Sequence, residues 1–368
     1  MSYNNLEDIQ FAKALISPPG DTLLETIESL DITQADLAAR MGRPLKTINE
    51  IVNAKAAITP ETAIQLERVL KIPATFWLNR ESNYQMELAE IAEAEIILKQ
   101  QDWLKNFPLN EMKKLGWLSF ENTIVSKMKS VFSFLSVSSI EGFERVYEQK
   151  LLSANYRMDS NKGKHNNYAI AAWLRKGELQ SQEIKVAPYS AVLFKENLKK
   201  IKSLAARQPY DFFSQLQLLC TEAGVKVVHT PCLPGATLHG STRWMNDNPI
   251  IQLSNRYARN DVFWFTFFHE AGHILKHGKR SLFIEGLEYT EQAREKEQEA
   301  DAVAIEYTLS LLQENEIKQN LPLSKEAIVH FATKFNTHPA CIIGRFARKM
   351  PKLNMLGWKY SYFQKIEL

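Results

Sequence analysis

One segment narrows the folds open to this chain more than any other. Phe263-Trp-Phe-Thr-Phe-Phe-His-Glu-Ala-Gly-His273 runs five aromatics in six residues directly into two histidines and a glutamate. The apolar stretch from Val262 to Phe268 is far shorter than the roughly 20 residues needed to span a bilayer, and it passes straight into charged positions. It reads as the buried start of a helix. On such a helix His269 and His273, four positions apart, project from one face about 6 Å apart along the axis, so both can reach a single metal ion.

Zinc takes imidazole nitrogen at roughly 2.0–2.1 Å, and a hydrolytic zinc site uses three protein ligands and a water. One ligand is therefore still to be found. The run Glu295-Lys-Glu-Gln-Glu-Ala-Asp301 offers candidates on a helix where positions 297 and 301 share a face. Glu297 is the choice, with Glu299 as the alternative if the register differs. Asp301, one turn further on, can accept the second ring N–H of a ligating histidine and fix its tautomer. Glu270 is the candidate general base, taking a proton from the attacking water and returning it to the leaving amine. His277 extends the same stripe and reads as a helix-end residue meeting terminal carbonyls. An acidic run alone is most often a solvated helix face, and a five-residue motif alone can arise by chance. The apolar lead-in and the downstream acidic helix together argue against chance. His239, Arg243 and Tyr257 read as structural or surface residues rather than oxyanion stabilisers.

The rest of the chain reads as mainly α with a small β-sheet, an α+β protein. Residues 20 to 80 carry apolar positions at three- and four-residue spacing in several short helices. Asp21 opens one helix, and Thr33 caps the next, which turns Leu37, Ala38 and Met41 inward before Gly42 ends it. Pro44 suits the first position of a helix to about Ala54 with Ile48, Ile51 and Val52 on its apolar face. Thr59 and Pro60 start another, with Ile64, Leu66 and Leu70 as its apolar contacts. A long helical pattern from Tyr84 to Gln101 follows. Residues 103 to 222 look helical around a polar loop at Asn155 to Asn167. After Gly224, Val225, Val227, Val228, Ile250, Ile251 and Leu253 have the β-branched character of short strands. Gly240 and Asn246 to Pro249 read as turns between them, which suits hairpins more than parallel crossovers. Three regions follow: 1–100, 101–222 and 223–368.

Composition mostly excludes. A net charge of +3 is too small to argue for nucleic acid from bulk electrostatics. Cys220, Cys232 and Cys341 form neither a C-x-x-C pair nor an even framework, which points to a reducing cytoplasm. Met1 to Gln10 is polar and carries Glu7 and Asp8, unlike an export signal. A cytoplasmic location without a membrane partner is expected.

The motif at 263–273, followed by Glu297-Gln-Glu-Ala-Asp-Ala-Val-Ala304, resembles the ImmA/IrrE family of metallopeptidases. The resemblance implies a zincin-like domain of gluzincin type in which Glu297 is the third zinc ligand; Val303 departs from it, since the family usually shows phenylalanine there. Pro19-Gly20, Gln34-Ala-Asp-Leu-Ala38, Ile58-Thr-Pro-Glu61 and Phe76-Trp-Leu-Asn79 resemble the helix-turn-helix domain of HigA-type antitoxins. Fusions of this type look like regulators that pair an Xre-like DNA-binding domain with a peptidase that cuts a repressor or partner protein. Ala171-Ala-Trp-Leu-Arg-Lys-Gly-Glu178 is also similar to such fusions, without an assigned role.

In a helix-turn-helix the early residues of the second helix touch base edges, which makes Arg43, Lys46, Thr47 and Asn49 the candidate DNA readers. Pro44 and Leu45 stand where the family usually offers a serine and a long polar residue. Seven basic against eight acidic side chains between residues 20 and 80 give little phosphate neutralisation. Two readings follow. One is a zinc-dependent endopeptidase coupled to a DNA-binding regulator, with a repressor or toxin-like protein as substrate, DNA as second partner and a homodimer as candidate assembly. The other is an antitoxin-like transcriptional regulator whose zinc domain is structural or ligand-sensing.

Overall fold

The computed structural model describes residues 3–148, 166–236, 238–256, 259–278, 283–284, 291–321, 323–349 and 361–366. They form helices and one small sheet, the α+β class expected. The chain divides into two compact units, residues 1–105 with 120–131, and residues 106–119 with 132–368.

The first unit holds α1 (Leu6–Leu15), α2 (Pro19–Ser29), α3 (Gln34–Met41), α4 (Leu45–Val52), α5 (Pro60–Leu70) and α6 (Ala74–Lys99). Leu23, Ile27, Leu37, Ile48, Leu66 and Trp77 form its core. Local chemistry sets most of the boundaries. Thr33 and Asp36 form a reciprocal capping box, Gly42 ends α3 at φ 64°, and Thr59 caps α5 ahead of Pro60. Four expectations change. The helix expected to open at Asp21 begins at Pro19, which suits the first helical position, and Gly20 lies against the end of α4: a Cβ there would come within 2.4 Å of the Ile51 and Val52 carbonyl oxygens. Pro44 is not the first helical residue; at ψ 141° it is extended and precedes α4. The long helix starts at Ala74 rather than Tyr84, and Ile64 is exposed.

A 3-10 turn at Gln101–Asn106 ends this stretch of the first unit, and α7 (Leu109–Lys114) opens the second; further on come α8 (Ile124–Leu135), which begins in the first unit, and α9 (Ile140–Phe143). Most of the polar loop at 155–167 falls outside the described residues. Next come α10 (Asn167–Gln182), α11 (Ala191–Arg207) and α12 (Phe212–Glu222). The strands are β1 (Lys226–His229), β2 (Gly240–Met245), β3 (Asn248–Leu253) and β4 (Phe283–Ile284), in the order β1-β3-β2-β4. β2 and β3 form an antiparallel hairpin across Asn246, at φ 54°, and Asp247. β1, however, runs parallel to β3, with Lys226 opposite Ile250. Residues 230–239 carry the chain beyond the position of β3 to β2, so the returning strand fills the gap in the direction of β1. Gly240 is thus the first residue of a strand and Pro249 lies within one, not in turns.

The segment Ala171 to Glu178 lies in α10 and is keyed to this sheet. Trp173 Nε1 donates to Thr230 O at 3.1 Å, and the buried Arg243 donates to Leu174 O at 2.7 Å and Gln252 Oε1 at 2.9 Å. Gly177 admits the Gln252 side chain, which any Cβ there would strike. On the other side Phe194, Leu198, Leu216, Val227, Ile251, Trp264, Phe267 and Phe268 make one core. That core seats α13 (Asn260–Lys276); α14 (Glu291–Thr308) packs along it, and α15 (Leu311–Lys318), α16 (Lys325–Phe335) and α17 (Pro339–Lys349) complete the unit.

Candidate metal centre

The aromatic lead-in buries α13 through Phe263, Trp264, Phe267 and Phe268, and the burial continues through His269, Glu270 and His273. Two small residues then let a second helix come close. A Cβ on Gly272 would lie 2.9 Å from Ala300 Cα, 3.0 Å from Ala300 O and 3.1 Å from Val303 Cβ, so α13 and α14 meet nearly backbone to backbone. The departure at Val303 falls in this contact, where a β-branched side chain covers the glycine.

This approach brings Glu297 against both histidines. Its Oε2 lies 3.2 Å from His269 Nε2 and its Oε1 3.3 Å from His273 Nε2, and the two Nε2 atoms are 3.0 Å apart. Tetrahedral zinc with bonds of about 2.0–2.1 Å holds its ligand atoms about 3.3 Å from one another. The three donors therefore fit zinc in type and in spacing. Glu299 stands elsewhere: its Oε2 is 2.8 Å from His277 Nε2. Asp301 Oδ1 is 2.9 Å from His269 Nδ1, and since a carboxylate only accepts, His269 Nδ1 carries a hydrogen; in the neutral ring this places the lone pair on Nε2, facing inward.

The ionisation states suit a cation. Burial lowers His273 to about 4, so its ring is neutral near pH 7. Burial alone would raise Glu297, but hydrogen bonding with His269 and His273 outweighs it and brings the carboxyl down to about 2. Such hydrogen bonding needs a hydrogen on a ring Nε2 while the site holds no metal; a bound metal ion would take that hydrogen's place and leave each ring its proton on Nδ1.

Glu270 is fully buried on the sheet side of α13. Thr242 Oγ1, in β2, donates to Glu270 Oε2 at 2.5 Å and approaches Glu270 O at 3.1 Å. Gly240 leaves room for the carboxylate, since a Cβ there would sit 2.7 Å from Oε1. Arg243 lies in the field of Glu270 and Glu178; burial still lowers its guanidinium to about 10. Its hydrogen bonds hold the sheet to α10, the structural role expected of it. His239 lines a small cavity with Thr266, and Tyr257 lies outside the described residues.

His277 is the clearest departure from the sequence reading. Its ring nitrogens meet side chains: Nδ1 is 3.0 Å from His273 Nδ1 and Nε2 is 2.8 Å from Glu299 Oε2. Thr242, Gly240 and the Gly272–Ala300 contact were likewise beyond sequence reasoning. Only His277 carried a signal, the second four-residue step of the histidine stripe.

In the first unit Lys46 and Asn49 are exposed and Thr47 half-buried at the start and middle of α4. Arg43 is held from α5: its Nε donates to Gln65 Oε1 and its Nη2 lies 3.2 Å from Glu61 Oε1. Lys46 Nζ is 3.8 Å from Glu50 Oε1.

Family models match a segment of each unit. The family model described as helix-turn-helix matches residues 23–77, and that described as IrrE N-terminal-like domain, a peptidase family, matches residues 220–337. The chain is 32% identical over 72 residues to the uncharacterized HTH-type transcriptional regulator YddM of Escherichia coli, 20% of this chain and 77% of that protein. It thus belongs to the helix-turn-helix regulator family through its first unit. It is also 39% identical over 59 residues to virulence-associated protein A of Dichelobacter nodosus, spanning 58% of that protein and 16% of this chain. Among solved structures it is similar to an addiction module antidote protein of a HigA family from Coxiella burnetii, with 28% identity, 23% of this chain and 92% of the other covered, and a TM-score of 0.22. A Pseudomonas aeruginosa protein solved with its operator DNA gives 32% identity, 23% and 93% coverage, and a TM-score of 0.22. Among the described residues no helix is long and apolar enough to cross a membrane.

Proposed function

We propose that this chain is a zinc-dependent endopeptidase whose N-terminal region, residues 1–100, directs it to DNA or to a DNA-bound protein. Residues 223–368 carry the peptidase, and a repressor or toxin-like partner in the cytoplasm is its substrate. The observation that carries this reading is the set of three separations, 3.0, 3.2 and 3.3 Å, among His269 Nε2, His273 Nε2 and the Glu297 carboxylate. His269, His273 and Glu297 would hold the metal, with Asp301 orienting His269. Bound zinc supplies a Lewis acid that polarises a carbonyl and makes a water acidic enough to react near neutral pH. Glu270 accepts the proton that water gives up and returns it to the leaving amine. Thr242 donates to one oxygen of Glu270, and in this reading the other, beside Gly240, carries that proton. Arg43, Lys46, Thr47 and Asn49 are the DNA contacts in this reading, Arg43 after release from Glu61 and Gln65.

The test is metal content together with a trap. Purified protein is expected to hold about one zinc per chain. Glu270→Gln is expected to retain zinc and to capture an intact protein that wild type cleaves, with cleavage slowed by roughly 10²–10⁴. Zinc-free protein, or a variant that cleaves as wild type does, refutes the reading. The relation to a transcriptional regulator over 77% of its length supports a second reading, regulation without proteolysis. Promoter binding unchanged in Glu270→Gln, with no protein cleaved by wild type, would favour it.

A further inference from the structure

The structure points to a role for a histidine that lies outside the proposed metal ligands. We infer that His277 is a positioning residue: anchored by Glu299, it holds His273 in the tautomer that aims Nε2 at the metal. This rests on the zinc site proposed above.

The Glu299 carboxylate can only accept, so His277 Nε2, 2.8 Å away, carries a hydrogen. A neutral imidazole protonated at Nε2 presents a lone pair at Nδ1. The 3.0 Å contact between His277 Nδ1 and His273 Nδ1 is then donated by His273. With its proton on Nδ1, His273 has its Nε2 lone pair directed to the point where His269 Nε2 and Glu297 Oε1 converge. Reversing any link would put a proton on the nitrogen that must bind the ion.

The two metal-facing histidines are thus set by devices of different length. His269 donates directly to Asp301, whereas His273 reaches its carboxylate only through a second imidazole. Sequence spacing explains the difference: His277 caps the end of α13 one turn beyond His273, buried with its side chain 5% exposed, its ring between that of His273 and Glu299 of α14. Glu299 is 59% exposed, so water can stand in for it. The buried link is therefore the sensitive one, and truncating His277 weakens the site more than truncating Glu299.

The full-length protein is titrated with zinc against a chromophoric chelator, and long-range proton–nitrogen correlation spectra report which ring nitrogens are protonated. His277→Leu keeps the bulk and removes the acceptor; zinc affinity is expected to fall roughly 10–100-fold, the usual cost of losing an outer partner of a metal ligand. His277→Asn offers an oxygen where Nδ1 of the ring lies and is expected to recover most of that loss. Wild-type His273 is expected to carry its proton on Nδ1. A His277→Leu protein with wild-type affinity, equal losses in the Leu and Asn variants, or His273 protonated at Nε2 in the zinc-loaded wild type would each overturn the inference. If His277→Leu fails to fold by circular dichroism, the wild-type tautomer and the affinity of His277→Asn decide. Wild-type protein that binds no zinc would instead overturn the metal centre itself, a result distinct from normal zinc binding that is indifferent to residue 277.

Discussion

Gly272→Ala isolates the contact on which the metal centre depends, because it adds one methyl group to α13 without touching any proposed ligand. The added Cβ would lie 2.9 Å from Ala300 Cα, 3.0 Å from Ala300 O and 3.1 Å from Val303 Cβ. Carbon atoms rest at about 3.5–4.0 Å, so the helices must separate by roughly 0.5 Å or more at this point. Two of the three atoms met are backbone, which no rotamer change can move aside. Overpacking of this kind costs about 1–3 kcal/mol. Replacing glycine within a helix returns about 1 kcal/mol, so the net loss of stability is about 0–2 kcal/mol.

The metal site is less forgiving than the fold. Glu297 lies on α14 one turn before Ala300, and metal–ligand distances tolerate only about ±0.2 Å. A shift of roughly 0.5 Å exceeds that margin, and zinc affinity is expected to fall at least tenfold, within the roughly 10–100-fold range that perturbing a site's supports produces. Thermal melts with and without zinc, read beside a chelator-competition titration, separate the two effects. A small loss in the zinc-free melt with a large loss in affinity is the expected pattern. Wild-type affinity in Gly272→Ala would refute the claim that this close approach sets the position of Glu297.

Two further outcomes follow from the charges. Burial lowers both His229 and His273 to about 4, while histidine in an unfolded chain titrates near 6.5. The unfolded chain then binds more protons between those values, so stability present in full above about pH 6.5 is lost as pH falls toward 4. Chelator-treated protein should melt at steadily lower temperature across that window, and His229→Gln should flatten part of the slope; a flat wild-type profile would contradict the burial of these rings. On the first unit, Lys46→Ala should lower the salt dependence of promoter binding by about one phosphate contact in an anisotropy titration. Glu61→Gln should tighten binding by releasing Arg43, and indifference to both substitutions would remove α4 from the DNA interface.

What the sequence made legible was local. Thr33 with Asp36, Thr59 with Pro60, and Gly42 announce helix ends because each cap satisfies backbone groups within a few residues. The four-residue step from His269 to His273 announces a shared face for the same reason. Gly20, Gly177, Gly240 and Gly272 were opaque, since each makes room for an element far away in the chain and nothing in its neighbours names that element. Gly240 was the most misleading: as a glycine between Pro234 and Asn246 it reads as a turn, yet it opens β2 and accommodates Glu270. The parallel pairing of β1 with β3 was hidden likewise, because strand character fixes which residues pair outward but not the order in which strands line up.

The acidic run at 295–301 shows where charge patterning alone goes astray. By composition it is a solvated helix face, and two of its acids are indeed half exposed, Glu299 at 59% and Asp301 at 51%, against 17% for Glu297. Exposed ion pairs add little stability, so stability cannot account for three acids each meeting a buried imidazole. Their arrangement follows proton position instead. The least exposed carboxylate, that of Glu297, faces the two Nε2 atoms, where a hydrogen would block a metal, and the exposed ones meet the Nδ1 of His269 and, through His277, that of His273, where a hydrogen must sit. An acid on the outer side can remain in water and still fix a tautomer, because it needs only to accept one N–H. The partial solvation that makes this segment look like an ordinary surface helix is compatible with, and sufficient for, the task of orienting both rings.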